Sequence, residues 1–259
     1  MAAVEARFHR AQKTNESSTS FRRLFLMTTI KLNKPRIAPH RQVLRCVLGS
    51  ILPRRRYLAW GPTAGNTVAL TFDDGPNPEY TPQLLDLLHV HRVRATFFVV
   101  GQQAERFPAL IRRMADEGHE IGNHSWSHTN PRDLTLEQHR EEICRTRDLV
   151  QSITGVTTRL FRPPYGQFRP FKIWQASQLD HTIVFWSVDP QDYRWKSEEE
   201  LQDSIARGGL RAGDIILLHE VSPLVHPAVR NYIQRAAAAG LTFRTVSEAI
   251  RNCPPRRAA

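Results

Sequence analysis

The sequence predicts an α/β fold built on parallel strands, and two observations support this prediction. Seven short apolar segments alternate with longer amphipathic segments between residues 67 and 250, a pattern typical of repeated βα units. The length of 259 residues also suffices for one large domain with a sizeable buried core. The alternation by itself leaves two architectures open, a closed barrel and a doubly wound sheet.

Each element follows from its local pattern. Apolar runs predict strands at 67–72, 95–100, 120–122, 159–161, 181–187, 214–218 and 242–245. Amphipathic spacing predicts helices near 80–91, 103–117, 135–153, 169–178, 197–207 and 226–239. Thr135 and Gln138 form the pattern of an N-terminal capping box. Gly118 and Gly240 lie where helices are expected to end.

The formal net charge of +11 belongs entirely to the N-terminal segment. Residues 1–56 contain 13 Lys and Arg against two Glu, whereas the remaining residues are balanced. We therefore divide the chain into four segments. Residues 1–40 are a basic extension with the composition of a disordered segment, and residues 41–66 are a short amphipathic helix and linker. Residues 67–250 form a single main domain, and residues 251–259 are a basic tail. A basic extension binds nucleic acid, anionic membrane or acidic polymer, or is solvated.

The amphipathic segment at 43–52 has one apolar helical face, which packs on the main domain or lies on a membrane surface. The three cysteines, Cys46, Cys144 and Cys253, are too far apart to indicate a zinc site or a disulfide framework. We find no convincing signal peptide and no apolar run near the ~20 residues of a membrane span. These features favour a cytoplasmic or membrane-surface location over secretion.

Reactive side chains follow five of the predicted strands, where active sites of parallel α/β folds gather. Asp73 and Asp74 follow the first strand, just before a Gly-Pro turn. Neighbouring carboxylates repel each other unless a metal ion or an arginine lies between them. One acid can therefore bind a metal while the other transfers protons, although such a pair is also common in solvated loops.

His124 and His128 follow the third strand with the spacing of one helical turn. Two histidines on one face of such a turn can chelate one ion. Together with a carboxylate from another strand end, they form the facial set used for hydrolytic zinc or non-haem iron. The alternative is an unconnected surface pair.

Arg162 follows the fourth strand and precedes Pro163 and Pro164. The prolines remove two backbone donors and leave the N–H of Tyr165 in a rigid position, where it is a candidate oxyanion donor. Arg162 can hold a carboxylate ionised and oriented. A stiff structural loop is the alternative interpretation.

The last two strand ends add acids, aromatic rings and an imidazole. Trp186, Asp192 and Tyr193 follow the fifth strand, and His219 closes the sixth next to an acid. His219 is placed for general acid or base catalysis. A metal, a carboxylate base, an oxyanion donor and an imidazole acid together form the set that hydrolyses an acyl bond.

These motifs resemble the polysaccharide deacetylase family, the NodB-homology domain of carbohydrate esterase family four. The resemblance covers about residues 67–250 and rests on five motifs in family order: Thr-Phe-Asp-Asp-Gly-Pro at 71–76, His-Ser-x-x-His at 124–128, Arg-Pro-Pro-Tyr-Gly at 162–166, Asp-Pro-x-Asp-aromatic at 189–193 and Leu-x-His at 217–219. It implies a distorted (β/α) barrel of about seven parallel strands and a single catalytic domain. It also implies metal-dependent removal of N-acetyl groups from amino sugars such as N-acetylglucosamine in polysaccharide, oligosaccharide or peptidoglycan.

The resemblance also implies residue roles. Asp74, His124 and His128 would bind a divalent ion, most often Zn²⁺, with Co²⁺ tolerated. Asp73 would be the general base and His219 the acid that protonates the leaving amine. Arg162 would orient Asp73, Asp192 would tune His219, and the Tyr165 N–H would hold the oxyanion. The substrate pocket would include Leu217, which lines the site of the acetyl methyl group, with Tyr193, Trp186 and Pro163.

Two departures from the family leave the substrate open. Tyr193 replaces the Trp that is common after Asp192, and the missing signal peptide leaves room for a lipid-linked or cytosolic sugar. The alternatives are an O-acetyl esterase or deformylase acting on a xylan-like or lipid-linked sugar, and a catalytically silent glycan-binding module. The basic segment at 1–56 would contact an anionic membrane or wall polymer, and no specific nucleic-acid partner is expected.

Overall fold

The computed structural model describes residues 56–61 and 65–251. The described residues exclude the basic extension at 1–40, the predicted amphipathic segment at 43–52 and the tail from residue 252. Among the residues described, we find no helix with the length and apolarity needed to span a membrane.

All described strand pairs are parallel. The strands are β1 Tyr57–Leu58, β2 Thr67–Asp73, β3 Thr96–Val99, β4 Glu120–Asn123, β5 Leu160–Phe161, β6 Thr182–Val184, β7 Ile215–His219 and β8 Thr242–Phe243. Their order in the sheet is β1-β6-β5-β4-β3-β2-β7, and β8 pairs with β2.

The sheet curls until its two sides meet. Val188, which follows β6, bridges to Ile216 of β7, and the N–H of Leu217 donates to the carbonyl of Val188 at 2.9 Å. The chain beyond β6 therefore contacts β7 at the opposite side of the sheet. This closure decides between the two architectures and confirms the distorted (β/α) barrel.

The helices that follow the strands are, in chain order, α1 Thr81–Val90, α2 Gly101–Arg106, α3 Pro108–Asp116, α4 Leu136–Thr154, α5 Pro170–Gln178, α6 Glu198–Arg207, α7 Val225–Ala238 and α8 Val246–Arg251. The capping box at the start of α4 is confirmed, because Thr135 and Gln138 each accept a backbone N–H from the other. Gly118 and Gly240 have positive φ directly after α3 and α7, as expected where helices end.

Two predicted elements differ from the structure. The helix expected at 103–117 is interrupted at Phe107, because Pro108 lacks an N–H and begins a new helix. The interval 41–66, predicted as a helix and linker, contains the buried strand β1, which pairs with β6. The barrel strands therefore begin before residue 67.

The barrel interior contains a large buried cation, Arg162. Phe72 and Phe97, whose ring centroids lie 5.0 Å apart, pack on the opposite face of the strands, beneath the helices. The Arg162 side chain is fully buried, and its guanidinium carbon lies 4.0 Å from the centre of the Phe98 ring. A buried guanidinium is costly unless it is paired, so its partners identify the polar centre of the fold.

Candidate active site

The carboxylate of Asp73 is the partner of the buried arginine. Asp73 is the last residue of β2, and its Oδ1 accepts a hydrogen bond from Arg162 Nη1 at 2.7 Å. The same guanidinium donates to Thr71 Oγ1 at 2.8 Å and to the carbonyls of Val184 and Phe185. These contacts fix Arg162, which therefore holds one oxygen of Asp73 and leaves Oδ2 facing the strand ends.

Asp74 is turned toward the same face by a constrained backbone. Its φ is 75°, a left-handed conformation that is strained for a residue other than glycine.

The turn leaves no room for a side chain at Gly75, where a Cβ would lie 1.5 Å from Glu220 Oε1. Glu220 is fully buried and its Oε2 accepts a hydrogen bond from Thr81 Oγ1 at 2.5 Å. Burial raises the pKa of Glu220 to about 8.

The segment from His124 to His128 is a loop, so the predicted helical turn is wrong. Ser125 and His128 have φ values of 68° and 57°, which lie outside the right-handed helical region. The loop nevertheless brings the two imidazole rings to 4.9 Å between centroids. His124 Nδ1 lies 2.7 Å from the carbonyl oxygen of Arg162, and we assign the proton to Nδ1 because only a donor fits a carbonyl there. In the neutral ring, Nε2 then presents a lone pair.

Three ligand atoms converge where the sequence predicted a metal site. Asp74 Oδ1 lies 3.4 Å from His124 Nε2 and 3.1 Å from His128 Nε2, and all three atoms lie within 4.8 Å of one another. Asp74 Oδ1 is buried and has no hydrogen-bond partner when both imidazole nitrogens are unprotonated. One carboxylate and two imidazole nitrogens suit zinc and other divalent ions. The residues present therefore fit a divalent cation.

The electrostatics of the cluster also favour a bound positive charge. Burial alone would raise the pKa of Asp74, but the hydrogen bond and charge of His124, with the charge of His128, hold that pKa well below its usual range. Burial opposes protonation of His124, yet Asp73 and Asp74 raise its pKa. Burial and the charge of His124 lower the pKa of His128.

His219 and Asp192 form a second polar pair beside this cluster. His219 Nδ1–H donates to Asp192 Oδ1 at 2.8 Å, and the backbone N–H of His219 donates to Oδ2 at 2.7 Å. Asp192 is fully buried. Burial by itself would lower the pKa of His219, but the hydrogen bond and charge of Asp192 outweigh it and raise the pKa to about 9. His219 therefore holds a proton at neutral pH, with Nε2 available to a substrate.

Two exposed tyrosines flank these groups. The Tyr165 ring lies 4.6 Å from the His128 ring, and the Tyr193 ring lies 5.0 Å from the His219 ring at 82°. Pro163, two residues before Tyr165, is buried, and its carbonyl accepts the N–H of Gly166 at 3.0 Å. One exposed ring therefore lies beside the candidate metal ligand His128, and the other lies beside His219.

The other two predicted pocket residues, Leu217 and Trp186, are less exposed than these tyrosines. Leu217 is buried in β7 and shares a face of the strand with His219, two residues later. Trp186 is half-buried and its ring lies 5.6 Å from the Arg162 guanidinium.

Sequence reasoning missed two acids that support the site, Glu142 and Glu220. Glu142 accepts three hydrogen bonds from the loop that carries the histidines, but in the sequence it is one of several polar residues of α4. Glu220 was visible as the acid next to His219, although its contact with Gly75 depends on the folded chain.

The fold and the site define a parallel (β/α) barrel with a hydrogen-bonded His219–Asp192 pair and a candidate cation site at the carboxyl ends of its strands. The sequence profile described as polysaccharide deacetylase matches residues 61–184. With the relatives below, this match shows that the chain belongs to the polysaccharide deacetylase family.

Two curated relatives are named for activity on peptidoglycan. The chain is 39% identical over 163 residues to the peptidoglycan-N-acetylglucosamine deacetylase of Bacillus cereus, a match that covers 63% of this chain and 59% of that protein. It is 36% identical over 205 residues to the peptidoglycan-N-acetylmuramic acid deacetylase PdaA of Bacillus subtilis, with 78% of each chain covered. The chain therefore spans less than two thirds of the Bacillus cereus protein.

Solved structures show the same fold. The Bc1960 peptidoglycan N-acetylglucosamine deacetylase superposes with a TM-score of 0.71 at 33% identity, covering 77% of this chain and 95% of that one. BA3943 of Bacillus anthracis, described as a pseudoenzyme of the CE4 family, also gives a TM-score of 0.71 at 26% identity, covering 77% of this chain and 70% of that one. The fold is therefore shared by an enzyme and by a pseudoenzyme.

Proposed function

We propose that this chain is a metal-dependent N-deacetylase that hydrolyses the acetamide of N-acetylglucosamine units in a polysaccharide, oligosaccharide or peptidoglycan. The observation that carries the proposal is the position of Asp73 and His219 beside the Asp74–His124–His128 cluster, with Asp73 Oδ2 only 3.6 Å from His124 Nε2. A base, an acid and a candidate cation site thus share one opening. The names of the relatives supply the substrate class.

Asp73 is the general base in this proposal. Arg162 occupies its Oδ1, so Oδ2 takes the proton from the attacking water. The water oxygen then bonds to the acetamide carbonyl carbon. Because Arg162 fixes the orientation of the carboxylate, the base is in place before the substrate binds.

His219 is the general acid. Its Nδ1–H donates to Asp192, so the proton on Nε2 is the one available to the leaving nitrogen. Breaking the carbon–nitrogen bond transfers that proton to the amine and releases acetate and the free amino sugar. Asp192 keeps the imidazole charged and correctly oriented, as a buried carboxylate does for a catalytic histidine.

Asp74, His124 and His128 would hold the divalent ion, Zn²⁺ or Co²⁺. When bound, such an ion supplies Lewis-acid polarisation of the carbonyl and lowers the pKa of water. The backbone N–H of Tyr165 would donate to the oxyanion. Tyr193, at the opposite rim, would contact the sugar face. Leu217, Trp186 and Pro163 would shape the acyl pocket.

Ester deacetylation and deformylation use the same groups, so the acyl linkage is tested separately. Metal-loaded protein would be assayed with N-acetylglucosamine oligomers, O-acetylated xylan oligomers and N-formyl sugars, including lipid-linked forms. Fastest turnover of the acetamide supports the proposal, whereas preference for the ester or formamide supports the alternatives. A silent glycan-binding module would bind the oligomers with metal loaded and release no acetate.

A further inference from the structure

The loop from His124 to His128 is held by hydrogen bonds from one side chain of a neighbouring helix. Glu142 of α4 accepts the backbone N–H of Trp126 at 2.9 Å and that of Ser127 at 2.8 Å through Oε2. Its Oε1 accepts the Ser127 hydroxyl at 2.8 Å. One carboxylate therefore satisfies three donors located between the two histidines.

The carbonyl groups of the same loop are bonded from the opposite side. The first backbone amides of α2, from Gly101 and Gln102, donate to the carbonyls of Ser125 and Trp126, each at 2.9 Å. The approach is close, since a Cβ on Gly101 would lie 2.4 Å from a ring atom of Trp126. The loop is thus fixed between α2 and α4.

The loop needs such anchors because its backbone is strained. Ser125 and His128 both have positive φ, and each such residue costs on the order of 1 kcal/mol or more. The N–H of His128 donates to Ser125 Oγ at 3.1 Å, so the local contacts of His128 depend on the same conformation. Without Glu142, two consecutive backbone amides would lose their acceptor and the loop would relax.

We propose that Glu142 is a positioning residue of the metal centre: by binding the amides of Trp126 and Ser127, it holds His128 within reach of Asp74. The inference rests on the metal site of the proposed function, and it assigns a role to a residue outside the five motifs. Glu142 acts through two backbone amides and the Ser127 hydroxyl of the loop.

Metal affinity tests this role independently of turnover. Zn²⁺ affinity would be measured by competition with a chromophoric chelator, and Co²⁺ coordination by visible absorption. We expect E142A to weaken Zn²⁺ binding about 10- to 100-fold, the usual effect of losing an outer-sphere partner. E142Q should remain within a few-fold of wild type, because its amide oxygen can accept both N–H groups while its NH₂ donates to Ser127.

E141A is the matched control, since Glu141 is the exposed neighbour on the same helix, and its Zn²⁺ affinity should equal that of wild type. Thermal unfolding of the metal-free proteins separates loss of affinity from loss of folding. If E142A does not fold, E142D, which withdraws the carboxylate by one methylene, should show the weakened binding instead. Wild-type affinity in a folded E142A or E142D would overturn the role of Glu142, whereas a wild-type protein that binds no Zn²⁺ would overturn the metal centre itself.

Discussion

Asp73 and His219 are directly paired residues of the β2–β7 ladder. The N–H of Glu220, the next residue, donates to the carbonyl of Asp73 at 3.2 Å, so hydrogen bonding between the two segments continues past the pair. The distance between the proposed base and the proposed acid is therefore set by a strand ladder in the core. Ladder contacts are more rigid than loop contacts, which suits a mechanism that needs both groups in place at once.

The pH dependence of turnover should report the His219–Asp192 pair. With the pKa of His219 raised to about 9, the acid is protonated below that pH, and kcat should fall as pH rises through it. In D192N, His219 loses the charge that raises its pKa most, although Asp73 and Asp74 still raise it, so we expect the alkaline limb to move down by more than about one pH unit. Rate profiles of both proteins measure the shift, with D203N, an exposed acid on α6, as the control.

The His219–Asp192 pair should also make the free energy of unfolding decrease as pH rises. Because the folded pKa of His219 is raised above its usual value of 6.5, its stabilisation is fully present below pH 6.5 and is lost as pH rises through about 9. Urea unfolding of metal-free protein between these values would show the loss. An unchanged profile in D192N would contradict the assignment of Asp192.

Removing the charge of Arg162 should be far more damaging than removing a surface charge. R162M would leave Asp73 buried without its partner, which costs about 3–5 kcal/mol of unfolding free energy. R159M is the control, because the nearby Arg159–Asp180 pair is exposed and should contribute under about 1 kcal/mol. Denaturant titration of both variants measures the difference, and equal losses would mean that Arg162 is not held as described.

Gly75 should not tolerate even a methyl group. A Cβ there would meet the carboxyl of Glu220, which cannot swing away because it is fully buried and bonded to Thr81. We expect G75A to lose about 1–3 kcal/mol of unfolding free energy and to bind Zn²⁺ more weakly, since Asp74 is the adjacent residue. G155A is the comparison, because a Cβ at Gly155 meets nothing within 4 Å; it should leave Zn²⁺ affinity unchanged despite its positive φ.

The basic segment at 1–56 remains a prediction about attachment. If its 13 Lys and Arg attract an anionic membrane, a truncation that ends at residue 52 should weaken binding to anionic vesicles, and added salt should weaken wild-type binding. Such a truncation spares β1, which begins at Tyr57. Equal, salt-insensitive binding of both proteins would argue against this attachment.

The sequence predicted the long elements because their periodicity extends over many residues. α4 and its capping box, for example, follow from local pattern alone. β1 is only two residues long, Tyr57–Leu58, too short to show alternation, and it is a strand because β6 offers it a partner. The interruption at Phe107 could be read from Pro108, whose missing N–H favours a helix start.

The site residues divide in the same way, into those that local pattern predicts and those whose role depends on packing in the folded chain. A cluster of His124, His128 and one acid of the Asp73–Asp74 pair was predicted because strand ends converge in any parallel barrel. The choice of Asp74 as the ligand came from the family resemblance. Glu142 was missed because its role depends on the packing of α4 against a loop, which no local pattern encodes. The helical turn predicted for His124 and His128 was wrong because hydrogen bonds from α2 and α4 impose a different backbone.

The most direct test of the central claim is acetate release from N-acetylglucosamine oligomers by wild-type protein and by D73N, each stripped with a chelator and then reloaded with Zn²⁺. Wild-type turnover should disappear on stripping and return on reloading. D73N should bind Zn²⁺ as wild type does yet release acetate at least ~100-fold more slowly, the contribution expected of a general base. Acetate release that persists in stripped wild type, or in D73N at the wild-type rate, would contradict the proposed division of labour between Asp73 and Asp74.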